Sequence, residues 1–345
     1  ERWGEITSKD TANRGNGVTI IYGTFDMYGG KIKGCRRGVF VDSSSTFNMY
    51  GGEISENELN GVTLTNSSNA RFNMYGGEIN RNTEYGVEIM KGATFNMYGG
   101  VIKDNPSRIQ HIGVWCQGGT FKMSGGEISS CTRGVHVTCT DVSSNSVAGR
   151  FEMSGGTIKG NEIGVSLFNR YDGKGDSTNN IIQSSKFTMT GGEIINNTKI
   201  GVDMGYNRHD STFHAGGELT VGGTAKIQDN SNKNAYGNVY FRYGEIKLAS
   251  TPFTEGAYIG ITTPDSTLPT AGKTLLIATV ASPSEVANYF HSDRDGYVIK
   301  CANAGSSHTI HTLNLTVSPH THSWQYTKAD KSTISVTCNG TGTCA

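Results

Sequence analysis

The sequence predicts an all-β fold: a right-handed parallel β-helix, or solenoid, with coils of about 22–36 residues and irregular coils or a cap at the C-terminal end. A short motif recurs through most of the chain, its apolar residues alternate with a period of two, and a Gly-Gly pair follows each alternating segment. The repeat itself does not show the handedness, and we expect the right-handed sense from the general preference of crossovers between parallel strands.

The repeated motif is Phe-x-Met-x-Gly-Gly-x-Ile, and a Gly-Val-x-apolar segment follows later in each copy. The clear copies begin at Phe25, Phe47, Phe72, Phe95, Phe121, Phe151 and Phe187. Both alternating segments predict short strands, because successive side chains of a strand point to opposite faces. The Gly-Gly pair permits a sharp bend between strands. When the coils stack about 4.8 Å apart, each residue lies next to the equivalent residue of the neighbouring coils, so Phe packs on Phe and Met on Met.

A second column of the repeat lies three residues after each Ile. It reads Cys35, Asn57, Asn82, Asn105, Cys131, Asn161 and Asn197. Asparagine tolerates left-handed backbone, and its amide can bond to the coils above and below. Cysteine can fill the same buried position, so Cys35 and Cys131 are predicted to be structural thiols. The seven cysteines form no Cys-x-x-Cys pair, and the pairing of any disulfides stays open.

The chain divides into three predicted parts. Residues 1–240 hold the regular coils, and residues 241–319 hold irregular terminal β coils and a cap, since solenoid ends need a polar cover. Residues 320–345 are the start of a following small β module or a tail. Gly4-Glu5-Ile6 is the second half of a repeat, which we expect of a segment of a longer protein.

Composition argues against several partners. Thirty basic and thirty acidic residues give a formal charge of zero, which does not favour binding to nucleic acid or to an anionic membrane. No apolar run reaches the roughly 18–20 residues that span a bilayer, so we expect no membrane insertion. Phosphate-loop, dinucleotide and Gly-x-Ser-x-Gly motifs are missing. We therefore expect no cofactor and no metal, and a monomer in isolation; calcium at Asp172-Gly-Lys-Gly-Asp176 is the one alternative.

The coil pattern carries a family resemblance. Together with Gly-Asn-Val-Tyr, Ile-Gly-Ile-Thr-Thr and the His-Thr-His-Ser-Trp segment, it resembles β-helix arrays of the pectate-lyase-like superfamily, in large secreted or wall-anchored proteins of gut Firmicutes. The resemblance covers nearly the whole chain and implies an extracellular or cell-surface location. Adhesive or glycan-related roles are what it implies about function.

Residues that break the repeat are the candidate site. One set occupies the outward position after the repeated Val, where Trp115, His136 and Asp203 break any single residue type. A second set lies in long insertions that leave the same corner of the coil after Val135, Val165 and Val202. Its members are Asp141, Arg170, Tyr171, Asp172, Asp176, Arg208, His209 and Asp210. The alternative is that insertions simply accumulate where a repeat is free to vary.

Two repeated columns are weaker candidates. An aromatic strip after each Met holds Tyr28, Tyr50, Tyr75 and Tyr98. It either stacks on itself and stiffens the sheet, which we favour, or binds sugar rings or a protein partner. Glu53 and Glu78 lie at the spacing of a retaining glycosidase pair, about 5 Å, but the same column repeats as a solvated position.

The sequence therefore favours a non-catalytic module of a bacterial secreted or cell-surface protein that binds a glycan or a host surface protein. Two alternatives stay open. One is a carbohydrate-active β-helix enzyme, either a glycoside hydrolase or a polysaccharide lyase, and the other is a structural spacer.

Overall fold

The computed structural model describes residues 4–10, 12–66, 69–104, 112–140, 147–168, 184–205, 217–230, 237–241, 244–271, 273–280, 286–303, 311–317, 324–328 and 334–338. Within these ranges the protein is all-β, with one 30-stranded sheet and one separate two-stranded sheet. The only helices there are two short 3-10 turns, Asp265–Thr267 and Val286–Tyr289. Neither is long or apolar enough to cross a membrane.

The strands follow one another at short intervals. In the first coils they are β1 Glu5–Thr7, β2 Val18–Ile21, β3 Thr24–Met27, β4 Lys31–Lys33, β5 Val39–Asp42, β6 Thr46–Met49, β7 Glu53–Ser55, β8 Val62–Leu64, β9 Arg71–Met74, β10 Glu78–Asn80, β11 Tyr85–Ile89, β12 Thr94–Met97, β13 Val101–Lys103, β14 Ile112–Gln117, β15 Thr120–Met123, β16 Glu127–Ser129 and β17 Arg133–Thr138. In the later coils they are β18 Arg150–Lys159, β19 Ile163–Phe168, β20 Lys186–Ile195, β21 Ile200–Asp203, β22 Glu218–Val221, β23 Lys226–Gln228, β24 Val239–Tyr240, β25 Glu245–Leu248 and β26 Tyr258–Thr262. The last six are β27 Leu275–Val280, β28 Phe290–Ser292, β29 Tyr297–Asn303, β30 His311–Val317, β31 Trp324–Lys328 and β32 Ile334–Cys338.

Each coil contributes one strand to each of three columns. The Val column holds the Gly-Val strands, which are β2, β5, β8, β11, β14, β17, β19, β21 and β24. The Phe-Met column holds β3, β6, β9, β12, β15, β22, β25 and the first halves of β18 and β20. The Ile column holds β1, β4, β7, β10, β13, β16, β23 and the second halves of β18 and β20. All pairing within the columns is parallel, which confirms the predicted parallel β-helix.

Register within the columns is residue on residue. Phe72 pairs with Phe47 on one side and Phe95 on the other. The six phenylalanines from Phe47 to Phe187 are at most 1% exposed, and their rings stack with centroids 4.6–4.9 Å apart. Burial of each such side chain stabilises the fold by about 1.5–3 kcal/mol. The core is therefore a continuous apolar column inside the coils.

The second glycine of the Gly-Gly pair explains the bend. Gly77 has φ +87°, and a Cβ there would lie 2.6 Å from the Cε of Met49 and 2.8 Å from the carbonyl oxygen of Gly52. Only glycine fits such a position, both for its backbone conformation and for its closeness to the preceding coil.

The predicted asparagine column is a buried amide ladder. Asn57 donates from Nδ2 to the Oδ1 of Asn82 at 2.8 Å. Further along, Asn161 donates to Asn197 at 3.0 Å, and Asn197 donates to Asn230 at 2.8 Å. The ladder continues through Asn238 to the carboxylate of Asp293, at 2.8 Å. Asn105 lies outside the described residues.

The architecture changes toward the C-terminal end. Ile259 and Ile261 of β26 still stack in parallel on Ile227 and Val239. β30 then pairs in antiparallel fashion with both β27 and β29. β31 and β32 form the separate antiparallel pair. The domain limits at residues 240 and 319 stay predictions.

Candidate functional site

Three of the sequence-predicted site residues lie in one outward row of the Val column. Trp115 pairs in register with His136, His136 with Ser166, and Ser166 with Asp203. Each follows the buried valine of its strand, so its side chain points away from the core. Adjacent coils are about 4.8 Å apart. Trp115 and His136 are therefore direct neighbours, whereas Asp203 lies two coils beyond His136.

Eight predicted residues lie outside the described residues. They are Asp141, Arg170, Tyr171, Asp172, Asp176, Arg208, His209 and Asp210. The described chain stops before these segments at Thr140, Phe168 and Gly205, just after the ends of three neighbouring Val-column strands. The described residues therefore fix only where the chain enters these segments, at the C-terminal ends of strands in the Val column.

Trp115 is half-buried, and its indole is held at both ends. Its Nε1 donates to the Oγ1 of Thr138 at 3.1 Å. Its ring packs edge to face against Tyr85, with centroids 4.8 Å apart and an interplanar angle of 61°. A side chain fixed in this way loses little further conformational entropy when it meets a ligand.

His136 is held in its neutral form. Burial and the positive charge of Arg133 lower the pKa of His136 to about 3. Its Nδ1 lies 3.2 Å from the Oγ of Ser166, and Phe168 packs beside it with ring centroids 6.2 Å apart. A histidine with so low a pKa is uncharged across the physiological range and is a weak general base.

Glu88 is a buried carboxylate in the same row, paired in register with Trp115. It is 7% exposed and accepts a hydrogen bond from the Nδ2 of Asn60 at 2.7 Å. Burial raises the pKa of Glu88, and the positive charge of Arg37 acts in the opposite direction. The sequence pattern showed the acidic residue in this row but gave no sign of the Asn60 partner, which comes from the preceding coil.

The glutamates of the Ile column are ion-paired between coils. Glu53 bonds Lys31 at 2.8 Å and Arg81 at 3.2 Å, and Glu78 bonds Lys103 at 3.4 Å. The hydrogen bond from Lys31 contributes most to lowering the pKa of Glu53, to about 2. A glycosidase acid needs a raised pKa. The ion pairing therefore gives this column a structural role.

The four tyrosines of the aromatic strip are stacked on one another. Adjacent ring centroids are 4.8–5.0 Å apart and the planes differ by 5–13°. The side chains are 42–60% exposed. Tyr50 and Tyr75 each have a ring on both faces, so the inner part of the strip offers mainly ring edges and hydroxyl groups to a ligand.

Four of the cysteines are buried, namely Cys35, Cys116, Cys131 and Cys139. Burial raises the pKa of Cys116 to about 12. Such a thiol carries no thiolate near neutral pH and is chemically inert. Cys35 and Cys131 occupy the amide ladder, where their backbone N–H groups donate to Asn57 and Asn161, both at 3.0 Å.

Glu88 and His136, two of the ionisable groups of the Val-column face, both have pKa values shifted toward the neutral form. The carboxylate of Glu88 is buried and hydrogen-bonded, His136 is neutral, and the rings of Trp115 and Tyr85 pack against each other. No group of three or more His, Cys, Asp or Glu side chains in the described ranges is arranged to hold a metal ion.

Comparison with known proteins agrees with the coil architecture. Residues 4–128 match the family model of the right handed beta helix region. The matched segment runs from β1 through β16, and the predicted handedness is thereby confirmed. No curated protein and no solved structure matched the chain. Parallel pairing continues from the matched segment into the coils beyond it, with a register irregularity at Ser154 of β18.

Proposed function

We propose that this right-handed β-helix is a non-catalytic module of a bacterial secreted or cell-surface protein, and that it binds a glycan or a host surface protein. The carrying observation is the fixed aromatic group on the Val column. Trp115, held by Thr138 and Tyr85, presents part of an indole on a rigid sheet. Partly exposed tryptophan and tyrosine are the side chains most often found at the centre of binding surfaces.

The state of the ionisable groups supports binding over catalysis. Glu88 and His136 are held in uncharged or shielded environments, and the exposed glutamates of the Ile column are paired with lysines. A hydrolase or lyase would need a free acid and a free base within reach of one bond. An adhesin of a gut bacterium is the setting that the family resemblance suggests, and calcium within Asp172–Asp176 stays an alternative.

The test is an array of glycans and host surface proteins, run beside a screen for polysaccharide degradation. We expect binding without product release, and binding at least about tenfold weaker in Trp115→Ala, as for a central aromatic contact. Phe40→Ala is the matched control, since Phe40 occupies the same outward row several coils away. It should bind like the unmodified protein.

Other outcomes would replace the proposal. Product release that disappears in Asp172→Ala, Asp203→Ala or Asp210→Ala would establish the carbohydrate-active enzyme. No binding in the array and no product in the degradation screen would favour a structural spacer. The ion pairs and amide ladders between coils also fit that role.

A further inference from the structure

Two side-chain ladders on the Phe-Met column end in the same coil. The tyrosine ladder runs from Tyr28 to Tyr98. Beside it, a half-exposed amide ladder runs from Asp26 through Asn48 and Asn73 to Asn96, with each bond 2.7–2.8 Å long. Because both ladders stop in one coil, their last members, Tyr98 and Asn96, stand side by side at one edge.

Beyond that edge the outward residues become smaller or charged. The tyrosine position is taken by Ser124, Ser154 and Thr190, and the amide position by Lys122, Glu152 and Thr188. The change from tyrosine to serine leaves a surface hollow of about 360 Å³. This volume falls in the range of about 300–1,000 Å³ typical of small-molecule sites. We call it the ladder-end hollow, lined by Asn96, Tyr98, Lys122, Met123, Ser124, Glu152, Met153, Ser154, Thr188 and Thr190.

The wall of the hollow combines an aromatic ring with a directed hydrogen-bond acceptor. Tyr98 is stacked on Tyr75 on one side only and is 50% exposed, so its other side is turned to the coil of Ser124. Asn96 donates from Nδ2 to Asn73 at 2.8 Å. Since the amide nitrogen faces the preceding coil, the amide oxygen of Asn96 faces the next coil, as in the other members of the ladder.

The floor adds polar groups of balanced charge. Lys122 and Glu152 form an ion pair at 3.1 Å, and hydroxyl groups come from Ser124, Ser154, Thr188 and Thr190. An anionic or cationic ligand would meet both charges of the pair. An apolar ring from a partner protein would bury these groups with nothing to bond them. A ring with an apolar face and hydroxyl groups at its edge satisfies both parts of the hollow.

We propose that the ladder-end hollow binds one pyranose ring of a neutral glycan, with the apolar face of the sugar stacked on Tyr98. Asn96 accepts from one sugar hydroxyl, and the Lys122–Glu152 pair bonds others. The inference rests on the binding function proposed above. It lies on a different column from Trp115, so the two can fail separately.

The probes are the methyl pyranosides of glucose, galactose, mannose and N-acetylglucosamine, observed by saturation-transfer NMR and titrated. Small-ligand efficiencies place the Kd of a fitting sugar on the order of 1 mM. Tyr98→Ser should weaken binding about tenfold by removing the stacking surface. Tyr28→Ser, at the opposite end of the same ladder, is the matched control and should stay within about twofold.

A second variant keeps the test independent of folding. Ser124→Tyr places in the hollow the side chain that the preceding four coils already carry, so the fold and the thermal midpoint should be kept while sugar binding is lost. Sugar binding that is unchanged in both Tyr98→Ser and Ser124→Tyr would overturn the inference. So would binding of N-acetyltyrosinamide in place of every pyranoside.

The array of the proposed function separates the two sites. Glycan binding that is lost in Trp115→Ala but intact in Ser124→Tyr would overturn the ladder-end hollow and leave the binding function standing. Binding that is lost in Ser124→Tyr but intact in Trp115→Ala would support the hollow and remove the Trp115 face from the glycan site.

Discussion

Removal of one amide from the buried ladder tests the account of the fold most directly. Asn197 is 1% exposed and lies between Asn161 and Asn230. The Oδ1 of Asn197 accepts two hydrogen bonds from Asn161, one from its backbone N–H at 3.1 Å and one from its side-chain Nδ2 at 3.0 Å. Its own Nδ2 donates to Asn230 at 2.8 Å and to the backbone oxygen of Ile158 at 3.1 Å. In Asn197→Ala all four of these bonds are lost at once.

The expected loss in the free energy of unfolding is set by the polar groups that the substitution leaves without partners. The backbone N–H of Asn161 is left buried without an acceptor, and an unsatisfied buried group costs about 1–3 kcal/mol. The Nδ2 of Asn161 still reaches the backbone oxygens of Ile128 and Lys159, at 3.2 and 3.1 Å, so it suffers less. With the small cavity that alanine leaves, the free energy of unfolding should fall by about 2–5 kcal/mol.

Urea unfolding followed by circular dichroism measures this change, and hydrogen exchange of the Asn161 amide reports it locally. Asn73→Ala is the control, because Asn73 makes similar ladder bonds but on the half-exposed outer surface, where water replaces them. It should lose no more than about 1 kcal/mol. Equal losses in the two variants, or a loss under about 1 kcal/mol for Asn197→Ala, would refute the reasoning.

Three further predictions concern single side chains. The pKa of Glu88 is raised in the fold, so the folded state keeps a proton that the unfolded state releases above about pH 4.5. Stability should therefore fall as pH rises through this region, and the thermal midpoint of Glu88→Gln should not show that fall. The pKa of Glu53 is lowered to about 2, mainly by Lys31, so the contribution of Glu53 to folding stability is present above about pH 4.5 and is lost as pH falls toward 2. Glu53→Gln should therefore weaken the dependence of the thermal midpoint on pH in this acidic range. Tyr75→Ala removes two ring contacts, whereas Tyr28→Ala removes one. Urea unfolding should show that the free energy of unfolding falls by about 1–3 kcal/mol in Tyr75→Ala and by about 0.5–1.5 kcal/mol in Tyr28→Ala. Equal losses in the two variants would contradict the stacking contribution.

The repeat made the fold predictable because every structural role recurs. Phe72, Met74 and Ile79 have counterparts in neighbouring coils, and each pairs with its own kind. A period-2 pattern identifies a strand even when its partners are distant in sequence. The bends and the buried amides could be recognised for the same reason.

The candidate site was less predictable because its properties depend on contacts between different coils. Glu88 is an ordinary acidic residue in the sequence, and its burial and its hydrogen bond from Asn60 of the preceding coil become visible only in the structure. The outward Glu53 was predicted to be a solvated repeat residue, but it is paired with Lys31. The ladder-end hollow forms because two columns change their side chains in the same coil. A search for one repeated motif does not detect such a coincidence.

The two amide ladders give the solenoid a direction. In the buried ladder the described bonds between side chains run from an Nδ2 to the side-chain oxygen of the next member toward the C-terminus, and the last acceptor is Asp293. In the outer ladder every Nδ2 donates toward the N-terminal coils, and the last acceptor is Asp26. The side-chain dipoles of the two columns are therefore opposed and partly cancel along the axis. Because a carboxylate accepts but does not donate, Asp293 could not serve the amide oxygen of a further asparagine coil. A further coil with asparagine at this position would therefore bury that oxygen without a hydrogen bond, so Asp293 marks the end of the buried ladder.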